Sequence, residues 1–76
     1  MGWTAPNYHN WHQIKTALEK NGFIQTPTFE EPYLHFMRGD GKEVIYEKSN
    51  KISVDATKTI LKKGGITYDE FLELYH

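Results

Sequence analysis

The sequence contains no cysteine among its 76 residues. A disulfide framework and a thiolate metal site are therefore both excluded. Long apolar runs are also missing, since no segment approaches the ~20 apolar residues that a membrane-spanning helix requires. The first residues lack the apolar stretch of a signal peptide. We therefore expect a soluble protein of a reducing cytoplasm that does not associate with membranes.

The sequence also lacks a large excess of charge of either sign, because its formal net charge is only −1. Strong nucleic-acid binders normally present a basic surface to the phosphates. The charge is nevertheless unevenly distributed along the chain. Six lysines against three acidic residues make 42–63 basic, whereas three acidic residues make 64–76 acidic. Such a pattern is also typical of a solvated surface of mixed charge.

The short length limits the kind of protein this chain can form. A chain of this size buries only about 60–65% of its extended-chain surface on folding, so the core is thin and leaves no room for a deep enzyme cleft. We expect residues 1–76 to form a single domain. Residues 1–9 show no periodicity and contain Gly2, Pro6 and Asn7, which predicts an irregular N-terminal arm.

A helix is predicted after this arm. Asn10 followed by Gln13 has the spacing of a capping box, and the pair Asn21 and Gly22 provides a stop signal. The apolar residues between these signals recur at helical spacing and favour a core-facing stripe. They are Trp11, Ile14, Ala17 and Leu18.

Three strands are predicted next. The first begins at Phe23, and Pro27 then marks a loop. Residues 33–38 and 42–47 are rich in strand-forming residues and flank Gly39-Asp40-Gly41, which is a strong hairpin signal.

Two helices complete the chain. The first ends at Gly64-Gly65, where glycine can adopt the left-handed conformation that closes a helix. The second opens at Thr67, with Glu70 at the capping-box position. The order α-β-β-β-α-α favours an α+β fold in which the helices pack on one face of a three-stranded antiparallel sheet.

Several segments resemble the HicA family of small toxins. Leu18-Glu19-Lys20-Asn21-Gly22-Phe23 closes the first helix as in that family, and the hairpin around Gly39-Asp40-Gly41 continues the likeness. The segment from Thr59 to Leu72 extends it, so that the similarity covers roughly residues 11–74. The resemblance implies a fold like that of double-stranded-RNA-binding domains, mRNA interferase activity and a HicB-like antitoxin as partner.

The family signature is a Gly-Ser-x-His motif that enters the second strand, and this chain departs from it. His35 matches the histidine if the turn is one residue shorter than usual, which places Pro32 and Tyr33 where Gly-Ser would stand. Without that deletion, the residue that corresponds to the histidine of the motif is Leu34. Adjacent strand residues face opposite sides of a sheet, so the register decides whether His35 points outward or toward the helices.

The resemblance implies that His35 is the catalytic residue. An imidazole can accept the proton of a ribose 2′-OH as that oxygen attacks the adjacent phosphate, which requires no metal or other cofactor. A cation must then stabilise the transition state. The residues that we expect to bind RNA around His35 are Tyr33, Arg38, Lys42, Lys48 and Lys51.

A second hypothesis treats His35 as an ordinary strand residue. The chain is then a catalytically inactive HicA-like module that binds RNA or a partner protein, for example an inhibitor encoded by a phage or mobile element. Tyr33 and Tyr46, both expected to be exposed, could stack on bases or pack on each other. His9 and His12 have a spacing that suits two metal ligands, but no third ligand accompanies them. The direction of the His35 side chain distinguishes the two hypotheses.

Overall fold

The computed structural model describes residues 7–27 and 30–74, and these form the predicted α+β fold. Helices and strands occupy most of this length. In chain order they are β1 (Tyr8–His9), α1 (Trp11–Lys20), β2 (Ile24–Gln25), β3 (Tyr33–Met37), β4 (Glu43–Glu47), β5 (Ile52–Ser53), α2 (Val54–Lys63) and α3 (Tyr68–Glu73).

The main sheet is antiparallel and has the strand order β2-β3-β4. The predicted hairpin connects β3 to β4, and its register pairs His35 with Ile45. On the other side of β3, Ile24 of β2 pairs with Met37. The three-stranded antiparallel sheet expected from the sequence is therefore confirmed.

A second, two-stranded sheet was not predicted. Tyr8 pairs with Ser53 and His9 pairs with Ile52, which joins β1 to β5 in antiparallel orientation. The prediction of an irregular arm over residues 1–9 is therefore wrong for Tyr8 and His9, while residues 1–6 lie outside the described part of the chain. Two-residue strands leave no periodicity in the sequence, and their pairing depends on a segment more than 40 residues away.

The helix ends follow the predicted capping chemistry. The Asn10 side chain accepts a hydrogen bond from the backbone N–H of Gln13 at 3.0 Å, and the Gln13 side chain accepts one from the backbone N–H of Asn10 at 3.1 Å. Thr67 caps α3 by accepting a hydrogen bond from the backbone N–H of Glu70. Gly65 has φ of +73°, in the left-handed region expected after a helix C-terminus.

The core lies between the helices and one face of the main sheet. Alternate residues of β3 and β4 point into it, namely Leu34 and Phe36 from β3 and Val44 and Tyr46 from β4. The helices contribute apolar residues that include Ile14, Ala17, Leu18, Leu61 and Phe71. None of the helices within 7–27 and 30–74 is long and apolar enough to cross a membrane.

The side chain of Tyr46 lies on the core face of the sheet, which the sequence around it did not predict. The sequence predicted an exposed aromatic, but Tyr46 is only 4% exposed and its ring stacks on Phe36 at 5.8 Å between centroids. Its hydroxyl donates a hydrogen bond to the backbone carbonyl of Trp11 at 3.0 Å, which links the sheet to α1. The expectation that Tyr46 is exposed is therefore wrong.

Candidate functional site

The face of the main sheet that points away from the helices is formed by the side chains that alternate with the core residues. Residues paired directly across antiparallel strands share a face, so the pairing register assigns this set. We call it the outer face. It consists of Ile24 from β2, Tyr33, His35 and Met37 from β3, and Glu43, Ile45 and Glu47 from β4.

His35 lies at the centre of the outer face and is held on both sides of its ring. Its Nδ1 atom is 2.8 Å from the Thr26 hydroxyl, and its Nε2 atom is 3.0 Å from a carboxylate oxygen of Glu43. The strand directs His35 away from the helices, yet the residue is only 9% exposed. The sequence did not identify Thr26 or Glu43, since neither resembles a motif and each depends on strand pairing.

The partners determine how the imidazole carries its protons. An ionised carboxylate only accepts hydrogen bonds, so Nε2 of His35 donates to Glu43. In the neutral ring, Nδ1 then accepts from the Thr26 hydroxyl. In the protonated ring, Nδ1 donates instead, and the hydroxyl can turn toward the backbone carbonyl of His35, 3.4 Å away. The three side chains thus form a carboxylate–imidazole–hydroxyl chain.

Arg38, one of the predicted RNA-binding residues, makes its hydrogen bonds at the hairpin end of the sheet. Its guanidinium donates two hydrogen bonds to the Asp40 carboxylate at 2.9 and 3.1 Å and one to the backbone carbonyl of Asn21 at 3.0 Å. It also lies over the Phe23 ring, 4.7 Å from its centroid. The hydrogen bonds from Arg38 lower the pKa of Asp40 to about 2. Arg38 therefore ties the hairpin to the end of α1.

The three predicted RNA-binding lysines also point to different places. The Nζ atom of Lys48 lies 4.9 Å from the centroid of the Trp11 ring, and that of Lys51 lies 5.1 Å from the Tyr8 ring. Lys42 extends along Gly65, its Nζ 3.7 Å from where a Cβ atom would stand. The structure does not assemble these cations with Tyr33 into one basic surface.

Large apolar side chains are exposed on the outer face around His35. Ile24 is 73% exposed, Tyr33 50%, Met37 40% and Ile45 38%. The seven side chains of this face include two carboxylates and no lysine or arginine. The alternation in Glu43-Val44-Ile45-Tyr46-Glu47 was the signal from which this apolar and acidic surface could have been predicted.

A groove of about 450 Å³ borders the outer face at β4. Its lining includes Ile45 and Glu47 of β4 together with Ala56 and Ile60 of α2. The remaining lining residues are Tyr8, Tyr46, Ser49, Lys51, Ile52 and Ser53. The groove therefore lies where the main sheet, the two-stranded sheet and α2 meet.

His9 belongs to a separate cluster on the helix side of the fold. It is only 3% exposed, its Nε2 atom is 2.7 Å from the Tyr68 hydroxyl, and its ring meets Phe71 edge-on at 4.9 Å between centroids. Burial lowers the pKa of His9 below its usual value, and the neighbouring Gln13 side chain partly opposes this shift.

The two N-terminal histidines do not form a metal site together. His9 is buried, whereas His12 is exposed on the surface of α1. Within the described ranges, no group of three or more histidine, cysteine or acidic residues is arranged to hold a metal ion.

Comparison with known proteins identifies no family. No family model matches the chain, and no curated protein sequence matches it significantly. The likeness to HicA toxins therefore rests on the residues quoted above.

Proposed function

We propose that this chain is a HicA-like module of the cytoplasm that binds a protein partner through its outer face and does not cleave RNA. The observation that supports this proposal is the composition of that face, in which exposed apolar side chains surround a polar centre and the only charges are carboxylates. The HicA resemblance makes a HicB-like antitoxin the first kind of partner to consider.

The apolar character of the outer face favours a protein as its ligand. Exposed aromatic and methionine side chains on one surface are typical of protein interfaces, where they supply much of the binding energy. Tyr33 and Met37 lie four residues apart on β3, with His35 between them on the same face, and Ile24 pairs with Met37. The three side chains share one face of the sheet, and a partner that spans this face can cover them together.

The charge of the outer face disfavours RNA. Single-stranded nucleic acids bind where cations follow the phosphates and aromatic rings stack on the bases. Tyr33 offers one ring, but Glu43 and Glu47 would lie close to the phosphates and repel them. The cations that RNA would need lie instead over Trp11, Tyr8 and Phe23.

The surroundings of His35 also disfavour cleavage. A general base must offer its free nitrogen to the proton that it removes. The nitrogen not bonded to Glu43 is Nδ1, and the Thr26 hydroxyl lies against it at 2.8 Å. A ribose 2′-OH would have to displace Thr26 before His35 could act on it.

Ribonuclease activity is the second candidate, and one observation favours it. Glu43 holds Nε2 of His35 as the acidic residue of a catalytic triad holds its histidine, so it would stabilise the imidazolium that forms when Nδ1 takes up a proton. In that case, movement of Thr26 would open the imidazole to substrate. This candidate retains the role that the resemblance implies for His35.

Expression in an inducible bacterial host separates the two candidates. We expect neither the wild type nor His35→Ala to reduce growth or degrade total mRNA, with folding of both proteins checked by circular dichroism. Growth arrest and mRNA decay with the wild type, both lost in a folded His35→Ala protein, would establish the ribonuclease and contradict our proposal.

A crosslinking experiment tests the protein partner directly. A photoreactive amino acid is introduced at Met37, with Lys63 at the exposed end of α2 as the matched control position. The protein crosslinked only from position 37 is identified and purified, and its affinity for the wild type and Tyr33→Ser is measured. We expect the substitution to weaken binding about 30-fold, the loss of ~2 kcal/mol typical of a buried interface aromatic. Equal affinities would show that the outer face is not the binding surface.

A further inference from the structure

Strand β4 forms one of the two edges of the main sheet. The strand order β2-β3-β4 leaves β4 without a neighbouring strand on its far side among the described residues. Backbone hydrogen bonds from Arg38 to Lys42 and from Lys48 to Pro32 identify the residue pairs that bond within the hairpin. Because hydrogen-bonded and non-bonded pairs alternate along an antiparallel ladder, Glu43, Ile45 and Glu47 point their backbone N–H and C=O groups away from β3.

The groove borders this edge at Ile45, Tyr46 and Glu47, and its lining also includes Ala56 and Ile60 of α2. A cleft between an edge strand and a helix is a geometry in which domains bind extended peptides by adding a strand to the sheet. The volume of about 450 Å³ is enough for several side chains of such a segment.

We propose that the β4 edge binds an extended segment of the partner protein as an additional antiparallel strand. That segment carries basic residues opposite Glu43 and Glu47 and an apolar residue opposite Ile45. This inference rests on the proposed function, since it specifies how the partner engages the border of the outer face.

The carboxylates of Glu43 and Glu47 favour basic residues at the two positions of the segment that lie opposite them. Side chains directly opposite each other on neighbouring strands lie about 4.5–5.5 Å apart, so opposite charges attract and like charges repel there. Glu43 and Glu47 flank Ile45 at two-residue spacing on one face of β4. The segment then has a basic residue at its first and fifth positions, opposite the two carboxylates. It has an apolar residue at its third position, opposite Ile45, and its second and fourth positions do not contact these side chains.

The same geometry disfavours a second copy of this chain as the occupant. Pairing β4 with β4 of another copy about a two-fold axis at Ile45 would place Glu43 opposite Glu47 of the second copy, and the reverse pair would follow by symmetry. The register that pairs all five residues of β4 would therefore create two pairs of opposed glutamates, which repel each other.

The intervening residues of the segment point to the other side of the added strand, where the groove supplies its own surface. Ala56 and Ile60 lie one helical turn apart on α2 and both line the groove. Small apolar residues such as valine fit these two positions. Specificity for the segment then comes from both faces of the added strand.

A synthetic peptide tests this pairing on the full chain. The probe is acetyl-Thr-Lys-Val-Ile-Val-Lys-Thr-amide, and the control replaces both of its lysines with glutamate. We expect the lysine probe to bind about tenfold more tightly, because two cross-strand pairs change from attraction to repulsion. NMR titration should show the backbone amides of Ile45 and Glu47 gaining protection from hydrogen exchange, whereas the Val44 amide is already protected by β3.

N-methylation of the probe provides a second measurement that leaves the protein unchanged. A methyl group on the central isoleucine nitrogen removes the donor that meets the Ile45 carbonyl, and we expect at least a tenfold loss of affinity. The same methyl group on the adjacent valine nitrogen, which points away from β4, should weaken binding less.

Equal binding of the two probes, no binding, or unchanged exchange at Ile45 and Glu47 would each overturn the inference. If a crosslinked partner still depends on Tyr33 in that case, the proposed function stands without strand addition. If the lysine probe pairs with β4 while the wild type degrades mRNA, the edge site stands and the proposed function fails.

Discussion

The two faces of the main sheet are built from the same short strands but differ in how far their side chains are buried. On the face toward the helices, Leu34, Phe36 and Val44 are between 0 and 6% exposed and pack into the core. On the outer face, Tyr33, Met37 and Ile45 remain 38 to 50% exposed beside a polar centre. Buried and exposed side chains thus alternate along the same strands, so a substitution on the outer face should leave the packing of the core largely intact.

Two histidines that make side-chain hydrogen bonds also differ in their surroundings. On the helix side, His9 is surrounded by aromatic rings and lies beside the Tyr68 hydroxyl. On the outer face, His35 has a hydroxyl and a carboxylate as partners. Burial disfavours the charged form of the His9 imidazole and so lowers its pKa. The two histidines should therefore respond differently to substitution.

The largest effect should come from breaking the core face. Phe36→Ala removes a fully buried ring that stacks on Tyr46, and we expect it to lower the free energy of unfolding by about 3–5 kcal/mol. Met37→Ala, one residue along the strand and on the outer face, should change it by no more than about 0.5–1 kcal/mol. Urea denaturation followed by circular dichroism measures both. Similar losses in the two variants would show that the faces share the stabilising role.

A smaller effect is expected at the polar centre of the outer face. His35→Ala removes the hydrogen-bond partner of Thr26 and Glu43, and we expect a loss of about 1–2 kcal/mol because both groups can regain water. A double-mutant cycle with Glu43→Ala should give a coupling energy of about 0.5–1 kcal/mol between the two side chains. Additive losses would mean that the contact between His35 and Glu43 contributes nothing to stability.

The smallest effect should be the pH dependence due to His9. Burial lowers the pKa of His9 in the folded protein below its usual 6.5, so the unfolded chain binds more protons as the pH falls past that value. The contribution to stability is complete above pH 6.5 and decreases as the pH falls toward and through the lowered pKa. Urea midpoints measured from pH 7.5 to 5.5 should therefore decline.

A pair of variants isolates His9 from the other titrating groups. His9→Phe should flatten the decline in midpoint over this range, whereas His12→Phe, at an exposed position on α1, should preserve it. An unchanged slope in His9→Phe would show that His9 does not cause the decline.

Much of the fold was predictable because its signals are local. The Asn10 and Gln13 capping box, the left-handed Gly65 and the hairpin at Gly39-Asp40-Gly41 each depend on residues within a few positions of one another. The pairing of Tyr8 with Ser53 was missed because it joins segments far apart in the chain. The candidate site was predicted only at His35 and Tyr33, since its other members are defined by register.

Local sequence therefore established the main helices and strands, their order, and an α+β arrangement with one apolar face on each helix. It also limited the chemistry, since without cysteine there can be no thiolate site. The direction of His35, the burial of Tyr46 and the meeting of Thr26 with Glu43 around one imidazole were decided only when the strands paired. The physical reason is that a strand alternates its side chains between two faces, so their environment depends on which distant segments cover each face.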